Sequence, residues 1–371
     1  MAALLRFLPS RQTVWAPSAL RVLEKRKNRV HRRMMSSSSD HPVVDCSVFF
    51  GSGSEPEKKD VLAQMKDALV VKGYFYAENV SVLPPEYIES VYAYHKKLHD
   101  LPTQVKSEYL VQKGGSYTGL DLGMDNAELP YEPGTVATVR AWDYSRWTPS
   151  ENAKRLFYPG PEVLQPEMAT FTDNLYDRQN VLGEALLTAF AEMFGLEPDA
   201  FRGHFKGDMG SIRLLYYPGC TAEEAAEANT GISAHTDFEA FTLMHQDAPG
   251  LQFLSPGGDT WIDAPVRPGE FVVIVGDVLE RFTNGELKAT PHRVVRTEHP
   301  RRSIIRFNAV NPNTLVEPMP QFVSDQRPPR YTPVRMKTHM ETTMANLRAG
   351  KGAWDTQKNR SITANYVYSS P

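Results

Sequence analysis

The chain has 371 residues, a formal net charge of -3, 41% apolar residues and two cysteines, Cys46 and Cys220. That is ample for a buried core in one large domain or two small ones. Two cysteines with no partner pattern argue against a disulfide framework or a cysteine zinc site and read as ordinary thiols in a reducing compartment. No run of about 18 apolar residues occurs, which argues against a membrane-spanning helix.

Residues 1–39 differ from the rest. They hold nine Arg or Lys against one acid, Glu24, and end in Arg32-Arg33-Met34-Met35 and four serines. This is the composition of a mitochondrial transit peptide. A basic arm for anionic surfaces, or a gene start placed upstream of Met34 or Met35, fits it as well. The expected location is therefore mitochondrial or cytoplasmic. Setting aside the leader's +8 from the whole-chain -3 leaves a body near -11. An acidic body argues against nucleic acid as a partner, since such binding relies on neutralising phosphates with Lys and Arg.

Val43 to Phe50 reads as an extended segment, followed by a Gly/Ser linker. From Glu55 to Val71, Val61, Leu62, Met65, Leu69 and Val70 recur at helical spacing, with Gly73 placed to end the helix. Tyr74-Phe75-Tyr76 has the aromatic density of a buried strand. A second helix is expected from Pro85 to about Leu98. Residues 113–161 are rich in Gly, Pro, Tyr and Trp without a sustained period, and read as ordered loops over an opening. Tyr117, Arg140 and Trp142 are candidate substrate contacts there, although such rings more often just cover a core. An amphipathic helix is expected from about Glu167 to Phe194.

Beyond Gly210 the texture changes to short strands between turns: Ser211 to Tyr217, Phe241 to Gln246, Leu251 to Leu254, Thr260 to Ala264, Phe271 to Val275, His292 to Arg296 and Ser303 to Val310. Many short strands with frequent Pro-Gly and Asn-Gly turns suggest a double-sheet jelly roll or a related barrel. A last helix is expected over 332–348.

Within this β-rich part, His235 and Asp237 in Ser233-Ala-His-Thr-Asp-Phe238 stand two residues apart. On a strand such residues share a face, so an imidazole and a carboxylate could grip one ion from one side. A third ligand from elsewhere completes the facial triad suited to non-heme Fe(II). His245-Gln246-Asp247 offers the same pattern and competes with it. The best third ligand is His292; His299, beside Pro300 in a polar run, reads as an exposed turn. Arg301 and Ser303 share a face by alternation. A hairpin near Glu298 to Pro300 would bring them beside His292 as a carboxylate clamp.

These motifs resemble the isopenicillin N synthase-like branch of the Fe(II)- and 2-oxoglutarate-dependent dioxygenases. The matching pieces are Tyr216-Tyr217-Pro218, Ala234 to Asp237, Gly250-Leu-Gln252, Pro268-Gly269, Gly276-Asp277, Leu279-Glu280, Thr283-Asn284-Gly285, Lys288, His292-Arg-Val294, and Arg301 with Ser303, in the family's order and spacing. Leu215 departs from it, since the family often has Asn there. The resemblance implies a mainly β fold with flanking helices and a double-stranded β-helix (jelly-roll) core. The basic leader is 1–39, a helical N-terminal region 43–205, the catalytic core 206–325, and a C-terminal helix and tail 326–371.

By the same resemblance His235, Asp237 and His292 are the iron ligands, His245 a pocket or core histidine, and Arg301 and Ser303 the holders of the distal carboxylate of 2-oxoglutarate, assisted by Tyr217. The implied reaction consumes O2 and 2-oxoglutarate, releases succinate and CO2, and hydroxylates or otherwise oxidises a small molecule, with ascorbate as a stimulant. Nucleobases, amino acids, alkaloid-like and terpenoid compounds all fit. Two alternatives stand: an Fe(II) oxidase of the family that does not use 2-oxoglutarate, and a jelly-roll binding protein that has lost catalysis. A monomer is the default.

Overall fold

Ser54 starts the first helix, α1 (Glu55–Val71), with a reciprocal cap: its hydroxyl accepts from the Glu57 N–H and the Glu57 carboxylate accepts from the Ser54 N–H. Val61, Met65, Ala68 and Leu69 form its buried stripe. The helix ends at Gly73, whose φ of +71° favours glycine. A Cβ at Gly73 would lie 2.0 Å from Thr290 Oγ1 and 2.3 Å from the Lys288 carbonyl oxygen, so glycine also lets the segment leading into His292 pass close by.

This computed structural model describes residues 41–110, 119–121, 139–147, 167–226, 230–349, 351, 354–355 and 360–361. The chain divides into two units, Met1–His41 and Pro42–Pro371. Apart from His41 the described residues lie in the second, and the basic leader lies outside them.

The second unit is built on two main sheets. The major one runs β1 (Val43–Asp45), β2 (Tyr74–Glu78), β10 (Phe271–Val275), β7 (Phe241–Gln246), β12 (Arg301–Asn308), β5 (Ser211–Tyr217), β4 (Arg140–Ser145), β3 (Gly119–Asp121). The minor one runs β6 (Thr230–His235), β11 (His292–Val295), β8 (Leu251–Leu254), β9 (Trp261–Asp263). This is the expected mainly β jelly-roll arrangement with flanking helices. Those helices are α1, α2 (Pro85–His99), α3 (Glu167–Glu192), α4 (Asp277–Phe282) and α5 (Met336–Arg348).

Strand alternation sorts the major sheet's side chains into two cores. Ile212, Leu214, Leu243, Phe241 and Ile304 join the helical stripes of α1, α2 and α3 in the larger core. Leu215, Tyr217, Met244, Val272 and Ile305 face the other way and pack with Ile232, Leu251, Phe253 and Val294 of the minor sheet. That inner face between the sheets carries the site.

Three local features of the structure were not foreseen in the sequence. The extended segment at 43–50 stops at Asp45, whose side chain accepts from the Ser47 N–H and caps a 3-10 helix, Cys46–Phe50. Arg140–Ser145, read as loop, is a full strand beside β5, its Trp142 and Ala141 buried on opposite faces. Its short alternation was hidden in an aromatic background. The third difference is α4, which begins directly after β10 and is too short for a helical period to stand out.

Candidate metal centre and co-substrate site

His235 closes β6 and His292 opens β11, and the two are direct antiparallel partners. A register irregularity between His292 and Val294 lets two residues of β6, Ser233 and Ala234, stand opposite Arg293. This bulge turns His235 to the face that Ile232 occupies, the inner one. The imidazole rings stand 4.4 Å apart by centroid.

Asp237 is not on the strand, contrary to the sequence expectation. β6 ends at His235, and Asp237 sits in the turn before β7. The shared face of two strand residues is replaced by two tethers: the Asp277 N–H at the start of α4 donates to the Asp237 carbonyl at 2.9 Å, and the Thr242 hydroxyl donates to Oδ2 at 2.5 Å.

The donor atoms converge. His235 Nδ1 donates to its neighbour Ser233 carbonyl at 2.9 Å and His292 Nδ1 to the Thr290 carbonyl at 3.0 Å. A carbonyl can only accept, so each Nδ1 carries the hydrogen and each Nε2 keeps its lone pair. Those lone pairs face Asp237 Oδ1, 3.8 Å from His235 Nε2 and 3.7 Å from His292 Nε2. Burial pushes the His235 pKa well below the ordinary histidine range; proximity of His292 and then of Arg213 adds to the effect against the Ser233 hydrogen bond. A neutral imidazole is the ligand form. All three side chains are buried, and their ligating atoms lie within 4.8 Å of one another. Two imidazoles and one carboxylate on one side, with thiolates absent from the set, fit non-heme Fe(II).

The competing triplet does not converge. His245 points into the helical side, where its Nε2 accepts from the Gly269 N–H at 3.2 Å and its Nδ1 meets the Tyr92 hydroxyl at 2.8 Å. Both nitrogens are engaged, and burial holds its pKa down at about 4. Asp247 instead accepts from the Arg302 N–H at 2.6 Å. His299 is exposed.

Arg301 and Ser303 do share the inner face, but not through a hairpin. β11 and β12 lie in different sheets, so the 296–300 connection crosses from one to the other. Arg301 is 0% exposed, with Nη2 donating to Gln246 Oε1 at 3.0 Å and Nη1 to Ser303 Oγ at 3.3 Å. Its guanidinium lies over the Tyr217 ring, 4.8 Å from the centroid. Tyr217 in turn is pinned by Gly231, where a Cβ would come within 2.8 Å of the ring.

Among the described residues Arg301 has no carboxylate partner. A buried guanidinium without an anion is costly, and the cost falls when an anion binds. Sequence reasoning missed Gln246, the middle residue of the competing triplet. Alternation along β7 was the available signal, since it places Thr242, Met244 and Gln246 on the face opposite His245.

The three candidate substrate contacts are not brought together. Tyr117 lies outside the described residues. Arg140 is exposed on the same side of β4 as Trp142, and Trp142 is fully buried in the helix-facing core near Tyr109, away from the inner face.

A jelly roll carrying a buried His-x-Asp…His triad and a buried arginine on the inner face between its sheets fits the class of mononuclear non-heme iron oxygenases. Comparison with known proteins agrees. Residues 209–309 match the model of the 2OG-Fe(II) oxygenase superfamily, and residues 41–157 match that of the non-haem dioxygenase in morphine synthesis N-terminal region. The chain is 28% identical over 303 residues to flavonol synthase/flavanone 3-hydroxylase of Arabidopsis thaliana, covering 80% of this chain and 84% of that protein. It is 25% identical over 322 residues to the 2-oxoglutarate-Fe(II) type oxidoreductase hxnY of Emericella nidulans, covering 80% and 87%. Among solved structures, a full-length Neurospora crassa protein in complex with alpha-KG superposes with a TM-score of 0.74 at 24% identity, covering 83% of this chain and 96% of that one. The chain belongs to the 2OG-Fe(II) oxygenase superfamily.

Proposed function

We propose that His235 Nε2, Asp237 Oδ1 and His292 Nε2 hold Fe(II), and that Arg301 and Ser303 hold the distal carboxylate of 2-oxoglutarate, with Tyr217 assisting. The observation that carries this reading is the convergence of those three ligating atoms within 4.8 Å. When bound, iron supplies with O2 and 2-oxoglutarate the oxidising power that releases succinate and CO2 and oxidises a small-molecule substrate.

The chain's own residues do the rest. The Ser233 and Thr290 carbonyls fix both imidazole tautomers, and Thr242 turns one Asp237 oxygen away so that the other faces the histidines. Gln246 and Tyr217 hold the Arg301 guanidinium in one orientation, which suits a bidentate carboxylate. The inner apolar residues Ile232, Phe253, Val294 and Ile305 exclude water around these groups. The reading takes the protein as a monomer and assigns no substrate contact to Arg140 or Trp142.

The test is succinate formation from 2-oxoglutarate with Fe(II), O2 and ascorbate, with and without a panel of metabolites. The native protein is expected to form succinate, while His235→Ala and Arg301→Gln lower it by about 100-fold or more, the loss of a metal ligand or a buried charge-assisted pair. O2 consumption without succinate would favour the Fe(II) oxidase reading, in which Arg301 holds the substrate's own carboxylate. Native-level Fe(II) binding by His235→Ala would refute the triad.

A further inference from the structure

The proposed metal ligands and the proposed carboxylate clamp stand on different sheets. His235 and His292 lie on β6 and β11 of the minor sheet, while Arg301, Ser303 and Gln246 lie on β12 and β7 of the major one. A molecule held at both ends therefore spans the gap between the sheets. Its length has to match their separation at that point.

Gln246 bridges this gap beside Arg301. It is buried, and its cross-strand partner on β12 is Ser303. Its Nε2 donates to the Ala264 carbonyl at 3.1 Å and to the Pro265 carbonyl at 3.4 Å, and its Oε1 accepts from Arg301 Nη2 at 3.0 Å. Ala264 continues the minor sheet: it directly follows β9, and its N–H donates to the Leu251 carbonyl of β8 at 2.8 Å. The Pro265 carbonyl takes a further donor from the major sheet, the Tyr76 hydroxyl of β2, at 3.0 Å.

The chemistry of the bridge admits few side chains. Carbonyl oxygens only accept and a guanidinium only donates, so a link between them must donate at one end and accept at the other. A primary amide does both and carries no charge. The two carbonyls also fix which end of the Gln246 amide is nitrogen. Glutamate of the same length would keep the bond to Arg301, but it would set an anionic oxygen against the Ala264 carbonyl and neutralise the arginine from within.

We infer that Gln246 is the positioning residue that sets the length of the 2-oxo diacid the site accepts, by tying the strand beside the clamp to the segment that continues the metal-bearing sheet. This deepens the proposed function and rests on it. With the tie in place, Arg301 stands at one distance from His235 and His292, and a diacid one methylene longer than 2-oxoglutarate cannot satisfy both ends at once. With the tie cut, the two sheets can shift against each other and the longer diacid is accommodated.

The test uses the full chain loaded with Mn(II), which permits binding without turnover, and two probes, 2-oxoglutarate and 2-oxoadipate, which differ by one methylene. Calorimetric titration is expected to show 2-oxoglutarate bound about tenfold or more tightly, the margin that a fitted site gives one methylene. Gln246→Glu keeps an acceptor for Arg301 and loses the tie; it is expected to weaken 2-oxoglutarate and to narrow the margin to about threefold or less. Gln246→Met, similar in length and uncharged, loses both bonds and is expected to narrow the margin as well, and it serves as the test should the buried carboxylate unfold the sheet. The margin is the decisive reading, because a residue that only orients Arg301 would change both affinities together and leave their ratio alone.

Equal binding of the two diacids by the native protein, an undiminished margin in the folded variants, or loss of Mn(II) affinity in step with that for 2-oxoglutarate would overturn the inference. Failure of the native protein to bind 2-oxoglutarate with Mn(II), or full retention of that binding by Arg301→Met, would instead overturn the reading beneath it.

Discussion

Thr242 is the most economical place to perturb the proposed iron site without removing a ligand. It is buried on β7, and its hydroxyl donates to Asp237 Oδ2 at 2.5 Å. Thr242→Val keeps the β-branched shape that the strand needs and deletes only that donor. Two effects follow. The carboxylate loses a charge-assisted hydrogen bond, and it becomes free to rotate Oδ1 out of line with His235 Nε2 and His292 Nε2. Loss of such an outer partner weakens metal binding about 10–100-fold, equivalent to about 1.4–2.7 kcal/mol. Anaerobic titration of Fe(II), or of Mn(II) as a stable surrogate, measures it directly. The affinity for 2-oxoglutarate carboxylate at Arg301 is expected to change far less, since Arg301 is held by Gln246 and Ser303 rather than by Thr242. Metal affinity within twofold of the native protein would refute the reasoning, because it would mean that Asp237 is oriented by its backbone tether alone.

Acid should unfold the protein through its buried histidines. Burial lowers the folded pKa of His95 to about 3 and those of His245 and His339 to about 4, and pushes His99 down as well. Depressed histidines contribute their stability above the unfolded value of 6.5 and lose it as the pH falls towards the folded value. At pH 5.5 His95, His245 and His339 each cost about 1.4 kcal/mol, together about 4 kcal/mol. Chemical denaturation at pH 7.5 and 5.5 checks this, and His95→Gln is expected to shrink the difference by about 1.4 kcal/mol. His339 Nε2 bonds the Phe238 carbonyl at 3.1 Å, tying α5 to the residue after Asp237. His339→Ala is therefore expected to lower both the melting midpoint and Fe(II) affinity, the latter about threefold to tenfold. Arg301→Met, which removes the buried cation while keeping the stem, is expected to raise the 2-oxoglutarate KM about 100-fold, with Fe(II) affinity little changed; equal losses of both would contradict separate anchoring.

Much of the fold was legible because periodicity reports burial. α1 matches its expected span from Glu55 to Val71, and β5, β7, β8 and β10 match residue for residue. Of the site, residue types and spacing named His235, Asp237, His292, Arg301 and Ser303, but not how they meet. The bulge in β6, the turn that carries Asp237, and the crossing from β11 to β12 depend on partners far along the chain. Local pattern instead suggested one strand face and one hairpin. Spacing alone left the rival at His245 open and the family resemblance set it aside; the physical reason is three-dimensional, since Gly269 and Tyr92 satisfy its ring while its neighbour Gln246 reaches Arg301.

The central claim is that one iron and one 2-oxoglutarate share the space between the sheets. Anomalous scattering at the iron edge from crystals grown anaerobically with Fe(II) and 2-oxoglutarate tests it most directly. The account predicts a single iron peak within bonding distance of His235 Nε2, Asp237 Oδ1 and His292 Nε2, with the distal carboxylate of 2-oxoglutarate on Arg301 and Ser303. An iron peak elsewhere, or a 2-oxoglutarate carboxylate seated away from Arg301, would contradict it.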